Sequence, residues 1–153
     1  MRKNKVDIIT LGCSKNLVDS EQLMRQFAVN GYKVEHDPHK INGEIVVVNT
    51  CGFIGDAQEE SIEMILELGQ AKKQGKIGKL FVMGCLSERF LHDLEQELPE
   101  VDRFYGKFNW KELISDLGKA YHQELAYDRI LTTPKHYAYL KIGEGCNRTC
   151  SYC

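Results

Sequence analysis

Cys146, Cys150 and Cys153 stand in the spacing C-x3-C-x2-C at the end of a 153-residue chain. Three soft thiolates so close in sequence can hold three irons of a 4Fe-4S cluster and leave the fourth iron open to an outside ligand. Zinc is the rival metal, and would normally want a fourth protein ligand. The other three cysteines are isolated. Each follows an apolar run: Val6 to Leu11 leads through Gly12 into Cys13, Glu44 to Thr50 into Cys51, and Lys79 to Met83 through Gly84 into Cys85. Singly, each reads as a small buried hydrophobe. Together, at the ends of three strands and each followed by a helix start, they read as a second ligand set. Helix N-termini favour the net negative charge of a thiolate-ligated cluster, and a second 4Fe-4S site with an open iron is the expectation for Cys13, Cys51 and Cys85.

The elements that must position these thiols are legible in the hydrophobic pattern. Ile45-Val46-Val47-Val48 is an unbroken β-branched run, the signature of a strand buried on both faces. Helices are expected after each cysteine. The first carries Leu17, Met24, Phe27 and Ala28 on one face, with Asn16 as its cap and Gly31 as its stop. The second opens on an Asp56/Glu59 capping box and buries Ile62, Ile65, Leu66 and Gly69. The third starts at Ser87, buries Phe90, Leu91, Leu94 and Leu98, and ends before Pro99. A short strand at 32–35, a weaker one at 101–105 and a last helix capped by Asn109 and Glu112 complete the alternation. Such a sequence predicts an α/β fold, a doubly wound, mostly parallel five-stranded sheet flanked by helices. In the strand order 2-1-3-4-5 the strands ending at Cys13, Cys51 and Cys85 are neighbours, and all three thiols share the rim where open parallel sheets bind ligands.

Residues 1–120 read as one domain and 121–135, polar and containing Thr132-Thr133-Pro134, as a linker. Beyond it, 136–153 reads as the truncated start of a further domain, opening on an alternating strand, His136 to Ile142. Twenty basic residues against 22 acidic ones give no electrostatic bias toward nucleic acid or anionic membranes. No apolar run approaches bilayer length and the basic start lacks a signal-peptide core, so a cytoplasmic protein with reduced thiols is expected. The five histidines show no ligand spacing.

The motifs Leu11-Gly12-Cys13-Ser14-Lys15-Asn16-Leu17-Val18-Asp19-Ser20-Glu21, Asn49-Thr50-Cys51-Gly52-Phe53-Ile54, Gly84-Cys85 and Glu144-Gly145-Cys146-Asn147, with Tyr152 before the last cysteine, together resemble the methylthiotransferases, a family of radical S-adenosylmethionine enzymes. The resemblance runs through most of the chain. It implies a flavodoxin-like N-terminal domain holding an auxiliary 4Fe-4S cluster on Cys13, Cys51 and Cys85, and a radical-generating cluster on Cys146, Cys150 and Cys153 that binds S-adenosylmethionine. These six cysteines are then the cofactor-binding and metal residues, with no separate catalytic side chain. One cluster removes an unactivated hydrogen and the other holds the sulfur to be inserted. The resemblance further implies an electron donor as partner. It is closer to the branch that modifies the β-carbon of an aspartate in a small-subunit ribosomal protein than to the tRNA-adenosine branch. In the latter the first motif tends to read glycine-cysteine-glutamine-methionine-asparagine, and the second continues into serine-valine-arginine. Ser14 departs from the proline that many members carry, a loop change that touches no ligand. Lys15, Asn16 and Asn49 flank the cysteines and could donate hydrogen bonds to cluster sulfides, or serve simply as cap and loop residues. A non-catalytic flavodoxin-like binding module is the alternative of another class, but Gly12-Cys13-Ser14-Lys15-Asn16 makes a poor phosphate loop. Cut short of the barrel, the fragment alone is expected to be inactive.

Overall fold

A computed structural model describes residues 1–52, 55–145, 147–149 and 151. Five strands, β1 (Arg2–Thr10), β2 (Lys33–His36), β3 (Gly43–Thr50), β4 (Lys79–Gly84) and β5 (Arg103–Phe104), form one sheet in the order β2-β1-β3-β4-β5, with every pairing parallel. Four helices connect or follow them: α1 (Ser14–Val29), α2 (Gly55–Lys73), α3 (Cys85–Glu97) and α4 (Trp110–Asp116). The doubly wound expectation holds, including the strand order.

β3 explains why. Its side chains alternate between two cores: Val46 and Val48 join Ile65, Leu68, Leu86 and Leu94 from α2 and α3, while Ile45 and Val47 join Leu23, Phe27, Leu113 and Ile114 from α1 and α4. A strand covered by helices on both faces has no wet side on which a polar residue would be tolerated. Burying each such valine or isoleucine fully stabilises the fold by roughly 1.5–3 kcal/mol.

Where local expectations fail, packing overrides pattern. Ile62 and Leu66 are 37% and 48% exposed, and the buried stripe of α2 is Ser61, Ile65, Leu68 and Gly69. On α1, Leu23 is fully buried while Leu17 and Ala28 are only half-buried. Leu91 faces solvent because α3 bends at Phe90 (φ −126°, ψ 27°), which breaks the single stripe. The caps differ too. α1 is entered through Cys13, with Asn16 buried inside its first turn, and α3 is entered through Gly84 with Ser87 buried inside. Asp56 lies in the first turn of α2 rather than before it. Asn109 precedes α4 as expected but makes no side-chain cap bond, its amide turning to the Glu112 carboxylate at 3.0 Å. Gly31 (φ +84°) and Gly118 (φ +67°) end α1 and α4 as the sequence suggests.

The stretch 121–135 lies along α1. Gln26 Nε2 donates to the His122 carbonyl at 3.0 Å and its Oε1 accepts from His122 N–H at 2.9 Å. Farther on, Ile130 N–H donates to the Glu21 carbonyl at 3.1 Å, and the Glu21 carboxylate accepts from both Thr132 N–H (2.7 Å) and Thr132 Oγ1 (2.9 Å). A short 3-10 turn, Gln123–Leu125, is its one regular element. The strand expected over 136–142 does not form. After a turn closed by Tyr137 N–H on the Pro134 carbonyl (3.3 Å), this segment crosses beside the start of α1 and pairs with no strand.

Candidate metal centre

Parallel register brings the cysteine-bearing turns to one level. Thr10 pairs with Asn49, Asn49 with Met83, and Thr50 with Gly84, so Cys51 and Cys85 leave adjacent strands side by side and the Cys13 turn leaves the next strand over. Neighbouring strands lie about 4.8 Å apart. Contacts between the turns are closer still. A Cβ placed on Gly12 would fall 2.5 Å from Cys51 Cβ and 3.0 Å from Cys51 Sγ, and a Cβ on Gly52 would fall 2.7 Å from Leu86 N and 2.9 Å from the Cys85 carbonyl carbon. The backbone of the first turn thus rests on the thiol of the second, and the second rests on the third. Gly12 also has φ +96°, a conformation side chains rarely adopt.

The three thiols differ in access. Cys51 is buried, Cys85 is half-buried and Cys13 is exposed. Cys13 and Cys85 sit at the N-terminal ends of α1 and α3, where the helix dipole favours negative charge. Among the described residues no three His, Cys, Asp or Glu side chains converge as they would around a single metal ion. The donors on this rim are soft thiols only, on three turns that touch, with a buried member and an open side. Cys146, Cys150 and Cys153, like Phe53 and Ile54 of the second motif and Tyr152, lie outside the described residues.

A polar frame fixes these turns. Asn16 Nδ2 donates to the carbonyls of Leu11 (2.9 Å) and Thr50 (3.0 Å), tying the ends of β1 and β3 together. Asn49 Nδ2 donates to the Asn16 carbonyl (2.9 Å) and Ser20 Oγ (3.0 Å), and Thr50 Oγ1 donates to the Met83 carbonyl (2.7 Å). Cys51 N–H donates to Ser61 Oγ at 3.3 Å, and Gln58 Nε2 holds the Gly52 carbonyl at 2.9 Å. Asn16 and Asn49, candidates for donation to cluster sulfides, therefore spend their amide protons on the backbone and on Ser20. They brace the rim. Lys15 instead faces Glu144, at 4.0 Å.

Sequence patterning missed the charged residues behind this rim. Glu144 is gripped by Lys107 (2.8 Å) and Lys141 (2.6 Å), and Lys141 also reaches Asp19 (2.6 Å). Burial works to raise the Glu144 carboxyl, but the two lysines outweigh it and hold it at about 2. Burial wins at Asp19, whose carboxyl is raised above the ordinary range despite Lys141. At Lys107 burial works to lower the ammonium, and is outweighed by the hydrogen bond to Glu144 and the negative charge of Glu144 and Asp19. The signal available in advance was weak: lysine and glutamate are common on surfaces, and only tertiary contact shows Asp19 and Lys107 to be buried and Lys141 partly so.

A family model described as "Uncharacterized protein family UPF0004" matches residues 5–106. The chain is 90% identical over its full 153 residues to the ribosomal protein uS12 methylthiotransferase RimO of Parabacteroides distasonis. It is 71% identical over the same span to the protein of that name from Porphyromonas gingivalis, and 53% identical over 154 aligned residues to that from Flavobacterium johnsoniae. In each case all of this chain is covered but only 35% of the relative, so the chain spans about a third of the length of these curated relatives.

Proposed function

The chain belongs to the UPF0004 family, and from that premise we propose that it is the N-terminal part of a radical S-adenosylmethionine methylthiotransferase acting on ribosomal protein uS12. The target is the β-carbon of an aspartate, and the cytoplasm, where ribosomal proteins are met, is its place of work. The observation that carries the reading is the meeting of the Cys13, Cys51 and Cys85 turns on one rim of the sheet.

Cys13, Cys51 and Cys85 would hold the auxiliary 4Fe-4S cluster, and Cys146, Cys150 and Cys153 the radical-generating one with its S-adenosylmethionine. When bound, the two clusters supply the inserted sulfur and the one-electron reduction of S-adenosylmethionine, with electrons from a separate donor protein. The chain's own residues set the stage for that chemistry. Cys51, buried under the Gly12 turn, anchors the inner side of the site, while exposed Cys13 leaves the outer side open to a ligand. Asn16, Asn49 and Thr50 hold the three turns in fixed register, which limits how far the cysteine backbones can move apart. Residues 1–120 form the domain that carries this rim, and the chain from 136 onward leads into the barrel of the complete enzyme.

The test is mass spectrometry of uS12 and nucleoside analysis of tRNA from cells lacking the gene. Loss of a methylthio group from the uS12 aspartate, with tRNA unchanged, supports the reading. Loss from tRNA alone overturns the substrate, and loss from neither overturns the activity.

A further inference from the structure

Two charged arms run from the cysteine-bearing rim to the segment that enters Cys146. The first starts on α3, whose first residue is Cys85. One turn on, Glu88 Oε2 accepts a hydrogen bond from the Lys107 backbone N–H at 3.0 Å, and Lys107 Nζ donates to Glu144 Oε1 at 2.8 Å. The second starts on α1, entered through Cys13: Asp19 Oδ1 accepts from Lys141 Nζ at 2.6 Å, and the same ammonium reaches Glu144 Oε2 at 2.6 Å. Both oxygens of Glu144, two residues before Cys146, are therefore held by ammonium groups tied to helices that begin at rim cysteines.

Besides these pairs, Arg129 Nη2 donates to the Tyr139 carbonyl and Lys15 approaches Glu144 at 4.0 Å. Leu140 and Ile142 are 82% and 92% exposed, and Gly143 and Gly145 flank Glu144. The partners of Glu144, by contrast, are largely withdrawn from water, at 11% exposure for Lys107, 16% for Lys141 and 3% for Asp19, while Glu144 itself keeps 29%. Pairs so withdrawn are geometrically demanding, because a displaced partner leaves an uncompensated charge. Exposed pairs slide at little cost.

We propose that Lys107, Lys141 and Asp19 form a latch on Glu144 that fixes the segment 139–145, which leads into Cys146, against the helices that begin at Cys13 and Cys85. Lys107 and Asp19 are then positioning residues, acting through Glu144 and Lys141. The inference rests on the reading that both cysteine sets carry clusters, and gives this charged network a role in that reading. Two sites that must act on one carbon need a fixed separation, since a misplacement of about 1 Å can cost ~100-fold in rate.

Hydrogen–deuterium exchange on the metal-free, full-length protein tests the latch without any cluster. Lys107→Met should speed exchange over 139–145 by about tenfold, leave β3 unchanged, and be reversed by Lys107→Arg, which keeps the charge. Glu144→Gln, in a loop outside both cores, should do the same, and the double variant should add nothing further. Unchanged exchange over 139–145 in both single variants, or effects that simply add, overturns the latch. In the anaerobically loaded protein, pulsed electron paramagnetic resonance should give a single narrow distance between the clusters, broadened by Lys107→Met and restored by Lys107→Arg. An equally narrow distance in Lys107→Met overturns the positioning role. A wild-type protein that takes up one cluster only would overturn the two-site reading, while the exchange result would still decide the latch.

Discussion

Val46, Val47 and Val48 of β3 are wholly buried, whereas Leu140 and Ile142, in a run that alternates as a strand should, are 82% and 92% exposed. The two regions use similar residue types to opposite ends. β3 has β1 and β4 as ladder partners and helices on both faces. The 136–142 segment has neither, and is secured by side chains: Lys141 to Asp19 and Glu144, and Arg129 Nη2 to the Tyr139 carbonyl at 2.5 Å. Apolar alternation makes a strand only where an edge exists to receive it, because unpaired backbone groups gain nothing from extension. The sheet is thus held by burial, which salt barely alters, and the 121–145 stretch by polar contacts, part of which salt screens.

The largest way to break this contrast lies inside the sheet. Asp7 is fully buried in β1, where its Oδ2 accepts from the N–H groups of Asn42 and Gly43, both at 2.8 Å, and its carboxylate pairs with the buried Lys5 at 2.8 Å. Asp7→Ala leaves the Asn42 and Gly43 N–H groups without their acceptor and takes one of two carboxylates from Lys5, which keeps Glu35 at 2.8 Å; at about 1–3 kcal/mol per orphaned buried donor it should cost about 3–5 kcal/mol, read as a lowered urea midpoint. A loss under ~1 kcal/mol would show that polar contacts matter as little to the sheet as the contrast claims at its simplest.

Next in size is the rim. Gly84 has φ +110°, and a Cβ there would lie 2.4 Å from the Thr50 carbonyl oxygen. Gly84→Ala should cost about 1–3 kcal/mol and move Cys85 away from Cys51, so that the full-length protein, reconstituted anaerobically, retains less iron per chain than the parent. Retained iron with lowered stability would separate the fold's need for Gly84 from the site's.

Salt should sharpen the comparison further. At 1 M ionic strength, where the Debye length falls to about 3 Å, proteolysis of the full-length protein within 121–145 should accelerate several-fold while cleavage within the sheet does not. Equal acceleration of both, or of neither, would remove the distinction between the regions.

The smallest effect is spectroscopic. Burial raises the Tyr105 phenol above its ordinary value of 10, and the hydrogen bond to Asp116 Oδ2 at 2.7 Å raises it further. The unfolded chain then ionises first as pH rises past 10. The contribution of this group is complete below that value and declines toward the higher folded one. Alkaline titration followed by tyrosinate absorbance should show one phenol fewer than the native Tyr105→Phe protein would predict from its remaining tyrosines plus a free one.

The cysteine spacing, the β-branched central run and the strand–helix alternation determined much by themselves. A parallel sheet in this order puts the ends of β1, β3 and β4 on one rim, and helices on both sides of it cover both apolar faces of Ile45 to Val48. Local chemistry was legible wherever one residue type has one use, as with Gly31 and Gly118 at helix ends. It was not legible where a side chain has several possible partners. Asn16 and Ser87, good caps by type, went inside their helices. Asp7 reads as an interruption in a strand until Lys5 and the Asn42-Gly43 amides are seen around it. Glu21 and Gln26 read as the wet face of α1, yet receive the chain at 122–132. Glu144, 125 positions from Asp19 in sequence, shares a lysine with it. Hydrophobic period is a property of neighbours along the chain, and so survives in the sequence. The pairing of a buried charge depends on which distant segment arrives, and that was decided only when the sheet and its flanking segments came together.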